Sequence, residues 1–139
     1  MILVSGGFDP LHEGHVALLR GAATYGAVFV ALNSDAWLIN KKGYAFHKWA
    51  ARAEILRECK SVRAVMRVHD CDGTVCHALR TLRPAYFANG GDRNTPNLAE
   101  ARVCVELGIH QLFGVGGVMK MNSSSELVKA ARGHHQNAL

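Results

Sequence analysis

The chain has 139 residues, 49% of them apolar and 19% charged, with a net charge of +5. That length predicts a single domain with an ordinary core, and no run of about 18 apolar residues is present to cross a membrane. The basic excess is mild and scattered, with no stripe interleaved with aromatics, which argues against nucleic acid and suits a small anionic ligand.

In chain order, the opening Met1 to Val4 has no basic leader and reads as a first strand, not a signal peptide. A glycine turn follows, then a helix-patterned stretch from His15 to Tyr25. Further strands are predicted at Ala27–Leu32, Ala64–Val68, Ala85–Ala88 and His110–Val115. Further helices are predicted at Ala50–Lys60, Thr74–Leu82, Pro96–Leu107 and Ser124–Arg132. Strands alternating with helices of this length imply βαβ units. The expected fold is therefore α/β: one Rossmann-like domain, a five-stranded parallel sheet with helices on both faces. It should occupy residues 1–132, with a polar tail from Gly133 to Leu139. Ligands of such sheets sit at the carboxyl ends of the strands.

Cys59, Cys71, Cys76 and Cys104 form no C-x-x-C pair and no zinc spacing. Cys59 and Cys104 fall in helix patterns and read as small core residues. A reducing, cytoplasmic setting is the simplest account.

The segment Gly6-Gly7-Phe8-Asp9-Pro10-Leu11-His12-Glu13-Gly14-His15 joins the first strand to the first helix. A helix start offers unpaired N–H groups and partial positive charge, a site for phosphate. Glycines let the backbone approach closely, and His12 and His15, three residues apart, can face one phosphate. Metal chelation by this pair would need further ligands, and none stands at a telling spacing. The pattern is neither G-x-G-x-x-G nor a P-loop. Arg52 continues an inward row with Ile55, Leu56 and Cys59, so it meets either an anion or a carboxylate partner. Ser123, Ser124, Ser125 and Glu126 form a capping box at a second helix start. Trp37 and Trp49 read as packing residues, His47 as a loop histidine, and His69 to Gly73 as a turn into a helix with an Asp cap.

The first of these segments resembles the signature of the HIGH-motif nucleotidyltransferases, the cytidylyltransferase-like family, whose pattern is roughly G-x-F-D-x-x-H-x-G-H. Gly6, Phe8, Asp9, His12, Gly14 and His15 match it, while Glu13 stands where an apolar residue is usual. Asn33-Ser34-Asp35 is similar to the family segment after the second strand. Lys41-Lys42-Gly43-Tyr44 resembles the lysine-bearing loop of glycerol-phosphate cytidylyltransferases, and Arg52 to Leu56 the helix after it. Asn89-Gly90-Gly91-Asp92 resembles the G-G-D segment of the adenylyltransferases that make ADP-heptose. Asn122 to Ser125 resembles the segment opening the last helix, with Lys120 in place of an arginine before it.

The resemblance implies transfer of AMP or CMP from ATP or CTP to a sugar- or polyol-phosphate acceptor, with release of pyrophosphate. A pantetheine-phosphate or flavin-type adenylyltransferase and a non-catalytic nucleotide-binding protein are the alternatives. By the same resemblance His12 and His15 would hold the triphosphate, Lys41 or Lys42 would bridge phosphates from a mobile loop, and Arg52 would contact the acceptor phosphate or the reacting centre. Gly6, Gly7, Phe8, Asp9, Gly14, Gly91, Asp92, Lys120, Ser123, Ser124 and Ser125 would complete the nucleotide site. Mg²⁺ would ride on the phosphates without direct protein ligands. A homodimer is compatible with the family's habits, and neither nucleic acid nor membrane is implied.

Overall fold

The computed structural model describes residues 1–90 and 97–117. Five strands form one parallel sheet: β1 (Ile2–Gly6), β2 (Val28–Leu32), β3 (Val62–Arg67), β4 (Tyr86–Gly90) and β5 (His110–Val115), in the order β3-β2-β1-β4-β5. Every neighbouring pair runs parallel. Between them lie α1 (Glu13–Ala23), α2 (Asp35–Lys42), α3 (Trp49–Arg57), α4 (Cys76–Leu82) and α5 (Leu98–Leu107). The expected Rossmann-like architecture is what forms.

Alternation along the strands builds two cores, because successive side chains leave a strand on opposite faces. Ile2 and Val4 of β1 join Leu18, Leu19 and Ala22 of α1 and Ala53 and Leu56 of α3 on one face. Leu3 and Phe87 join Ala78 and Leu79 of α4 and Val103 and Cys104 of α5 on the other. A sheet covered on both faces reads as near-continuous apolar runs, as β1 and β2 do.

The connections leave the middle of the sheet in opposite directions, so the crevice between the carboxyl ends of β1 and β4 is the topological switch point. There the Ser5 hydroxyl donates to Asn89 Oδ1 at 3.3 Å. The glycine turn after β1 opens onto this crevice.

Three expectations are corrected. The stretch read as a mobile lysine loop is α2, eight residues ending at Lys42 and closed by Gly43 at φ 85°. Its start signal was present: Ser34 caps it, accepting from Trp37 N, and Asp35 opens its first turn. It bears one buried apolar residue, Leu38, so no amphipathic pattern revealed it. Second, Ile55 is 41% exposed; the buried residues of α3 are Arg52, Ala53 and Leu56. Third, Cys59 lies just beyond the end of α3, half-buried, whereas Cys104 is buried within α5. The predicted helix Ser124–Arg132 and the tail lie outside the described residues. No described helix is long and apolar enough to cross a membrane.

Candidate active site

The turn after β1 is built by its own residues together with Leu38 of α2. Phe8 takes a left-handed backbone, φ 49°, which folds its buried ring against His15, with ring centroids 4.9 Å apart. A Cβ on Gly6 would meet that ring at 3.1 Å, and one on Gly7 would meet Leu38 Cδ2 at 2.6 Å. The side-chain space of both glycines is therefore filled by Phe8 and Leu38, which is how α2 closes down on the turn.

His12 and His15 begin α1 as a reciprocal cap. His12 Nδ1 accepts from Gly14 N at 3.0 Å, and His15 Nδ1 accepts from His12 N at 3.2 Å. The rings stack, with centroids 3.8 Å apart. A ring nitrogen that accepts from a backbone N–H carries no proton, so each neutral imidazole holds its proton on Nε2. The tautomer of both rings is thus set by the helix start. Burial above all, with His12 and Lys42 as neighbours, pulls the His15 pKa down to about 3. His15 is a neutral donor at physiological pH. Glu13 is exposed between them, on the outer side of the helix start.

The two lysines separate. Lys41 is exposed and lies over the Trp37 ring, 4.7 Å from its centroid. Lys42 turns inward, donating to the Asp9 carbonyl at 2.8 Å, with the Tyr44 ring 5.2 Å away. Burial and the nearby Arg52 lower its pKa, while Asp9 opposes the shift. Lys42 therefore belongs to the histidine turn, and Lys41 to the surface of α2.

Asp9 is 1% exposed, and its carboxylate accepts from Phe46 N at 2.6 Å and His47 N at 2.7 Å. It orients the segment between α2 and α3. Arg52 is fully buried and spans four segments. Its Nε donates to His47 O at 2.9 Å, Nη1 to Gly7 O at 2.9 Å and Asn33 O at 2.8 Å, and Nη2 to Asp35 Oδ1 at 2.6 Å. Of the two readings the sequence left open, the carboxylate partner is present, and it is Asp35. The rigid fork of the guanidinium lets one side chain satisfy acceptors from so many directions.

Trp49 packs on the core and donates to Leu32 O at 3.0 Å, as a packing residue should. Asp72 accepts from Thr74 N and Oγ1, both at 2.9 Å, forming the turn expected before α4. Asp35, Asn33 and Asp70 were given no role from the sequence, yet all three are tied into this framework. The cap at Ser34 and the acidic residue after it were the available signal. Among the described residues no group of three or more His, Cys, Asp or Glu is placed to hold a metal ion. Gly91, Asp92, Lys120, Ser123, Ser124 and Ser125 lie outside the described residues.

A parallel 3-2-1-4-5 sheet with a histidine-capped helix start, and with an inward lysine against the turn after β1, defines a Rossmann-like α/β domain. Residues 3–127 match the family described as Cytidylyltransferase-like, and the chain belongs to that family of nucleotidyltransferases. It is similar to the bifunctional protein HldE of Gluconobacter oxydans, 34% identical over 111 residues, 78% of this chain and 23% of that protein. The HldE of Streptomyces coelicolor is 38% identical over 111 residues, 78% of this chain and 24% of that protein. The HldE of Geobacter sulfurreducens is 32% identical over 135 residues, 94% of this chain and 27% of that protein. The chain thus spans about a quarter of the length of these relatives. In fold it is similar to the lipopolysaccharide core biosynthesis protein of Thermoplasma volcanium, with a TM-score of 0.67 at 22% identity, over 81% of this chain and 91% of that one.

Proposed function

We propose that this chain transfers AMP from ATP to the phosphate of a sugar phosphate, releasing pyrophosphate. The observation that carries the reading is the pair of imidazoles locked by the start of α1 with their protons on Nε2, beside the inward Lys42. An acceptor phosphate oxygen attacks the α-phosphorus of ATP; one P–O bond forms, the bond to the bridging oxygen of pyrophosphate breaks, and pyrophosphate leaves. No proton need be removed from an acceptor already ionised at neutral pH. Catalysis then consists of positioning and charge stabilisation. His12 and His15 donate to the oxygens on which charge develops, and Lys42 supplies a fixed positive charge. Asp9 and Arg52 hold the turn and the segment around His47 so that these donors do not reorganise. Mg²⁺ would arrive on the triphosphate and neutralise its charge.

ATP is favoured over CTP because the Asn89-Gly90-Gly91-Asp92 segment resembles the adenylyltransferases that make ADP-heptose, and because the relatives above carry the name HldE. For the same reason a sugar phosphate is favoured over a polyol phosphate. The test is pyrophosphate release with ATP and CTP crossed against heptose 1-phosphate, other sugar phosphates and glycerol 3-phosphate. Turnover with ATP and a sugar phosphate, lost in His15→Ala, is the expected result. Turnover with CTP and glycerol 3-phosphate alone would move the chain to the cytidylyltransferase reading. ATP binding without turnover on any acceptor would leave a non-catalytic nucleotide binder.

A further inference from the structure

Asp70 takes no part in the chemistry above, and it lies outside every segment that carries the family resemblance. It follows β3, the edge strand, and is 7% exposed. Its carboxylate reaches across to the start of α2. Oδ2 accepts from Asn33 Nδ2 at 3.1 Å and Ser34 N at 2.8 Å, and Oδ1 accepts from Ser34 Oγ at 2.8 Å.

Both residues it grips hold something else. With its proton given to Asp70, the Ser34 hydroxyl accepts from Trp37 N at 3.0 Å and caps α2. Asn33 donates its N–H to Gly6 O at 3.0 Å and offers its carbonyl to Arg52 at 2.8 Å. The first residue of α2, Asp35, is paired with Arg52. The start of α2 is thus fixed from three sides, and its far end carries Lys42 against Asp9 O.

The loop that bears Asp70 does not need this carboxylate for its own shape. Gly73 N donates to Asp70 O at 2.9 Å, and Asp72 holds Thr74 twice. The side chain is committed outward. An eight-residue helix is about 12 Å long. A tilt of about 10° at its start would move its end by about 2 Å, and a misplacement of about 1 Å can cost on the order of 10²-fold in rate.

We propose that Asp70 is a positioning residue that sets where Lys42 stands at the phosphate site, acting through Ser34 and the start of α2. The proposal rests on the reading that Lys42 serves nucleotidyl transfer, but the placement of Lys42 is measurable without turnover. The test is the rate at which each lysine of the full chain is acylated by a small ester, read by peptide mass spectrometry, in wild type, Asp70→Ala, Asp70→Asn and Ser34→Ala.

Compared per neutral amine, from a pH series that takes out the lowered Lys42 pKa, Lys42 should react more slowly than exposed Lys41 and Lys48 in the wild type. In Asp70→Ala its rate should rise by about tenfold, the gain expected when one hydrogen bond of a charged group is released. Lys41, Lys48 and Lys60 should keep their rates. Asp70→Asn offers one oxygen to the two donors and an amide to Ser34 Oγ, so it should restore most of the protection. A Lys42 rate unchanged in folded Asp70→Ala, or all lysines accelerating together, would overturn the proposal. If Asp70→Ala does not fold, Ser34→Ala decides by the same criterion, since it removes only the Oδ1 bond and the cap.

Where wild type turns over, a kinetic cycle with Lys42→Ala adds a second reading. Asp70→Ala should lower kcat more than it changes KM in the wild-type background and cost less than about 3-fold in the Lys42→Ala background. Full additivity would overturn the proposal. Absence of turnover in the wild type would count against nucleotidyl transfer and leave the acylation result to decide the placement of Lys42.

Discussion

The two halves of the site are held by different means. The histidines at the start of α1 are fixed by bonds within four residues: His12 to Gly14 and His15 to His12. Lys42, Asp9 and, apart from its bond to His47 O, Arg52 are fixed by bonds that close sequence separations of 17 to 45 residues. A locally built donor pair should survive damage elsewhere, whereas the lysine side depends on the whole α2–α3 framework. The difference teaches that loss of rate and loss of stability should separate by region.

The largest effect should fall on activity, at the local pair. His15→Ala should lower pyrophosphate release by roughly 10²–10³-fold, since it removes a donor from the developing charge. It should cost the fold only about 1 kcal/mol, the worth of a cap. A rate within a few fold of wild type would break the comparison at once. Arg52→Met should show the reverse balance. It strips four acceptors of their donor, and breaking a buried pair costs about 3–5 kcal/mol. Asp35 keeps 39% of its side chain in solvent, so the lower end is expected. Thermal or urea unfolding reads this directly, and an unchanged midpoint would show that the four-way contact is dispensable.

Acid sensitivity sharpens the contrast. The unfolded His15 takes up a proton near its ordinary 6.5, while the folded one refuses it until about 3. The unfolded state therefore binds more protons between those values, and stability is lost as pH falls from about 6.5 toward 3. Between pH 7 and pH 5 the loss from this group should be up to about 2 kcal/mol. His15→Gln should flatten that slope in urea melts taken at the two pH values; an equal slope in both proteins would sink the assignment. The smallest effect is Asp9→Asn, which leaves one carbonyl oxygen for two amide donors. A cost of about 1–2 kcal/mol is expected. Faster amide exchange at Phe46 and His47, with that at Gly14 unchanged, would show that the damage stays on the α2–α3 side.

The histidine cap was legible as a helix start because its devices are short-range. A strand, a glycine turn and a helix start stand in one unbroken segment, and the proton positions follow from who donates to whom within it. Arg52 was legible only as a question. Its place on the inner row of α3 followed from helical spacing, but its partner, Asp35, lies on another helix. The choice between Lys41 and Lys42 was beyond the sequence, since both close the same short helix and differ only in which side of α2 meets the turn. Asp70 read as part of a surface turn because nothing local shows that β3 ends beside β2.

The sequence by itself determined the alternation of strands and helices, the parallel sheet and the glycine turn from β1 into α1. Those follow from hydrophobic period, glycine placement and capping, all of which act over a few residues. The tertiary structure decided that Lys42 and not Lys41 faces the histidines, that Arg52 is pinned by Asp35, and that Asp70 reaches α2. Each of these depends on which strand ends lie side by side, and strand order is set by packing both faces of the sheet together.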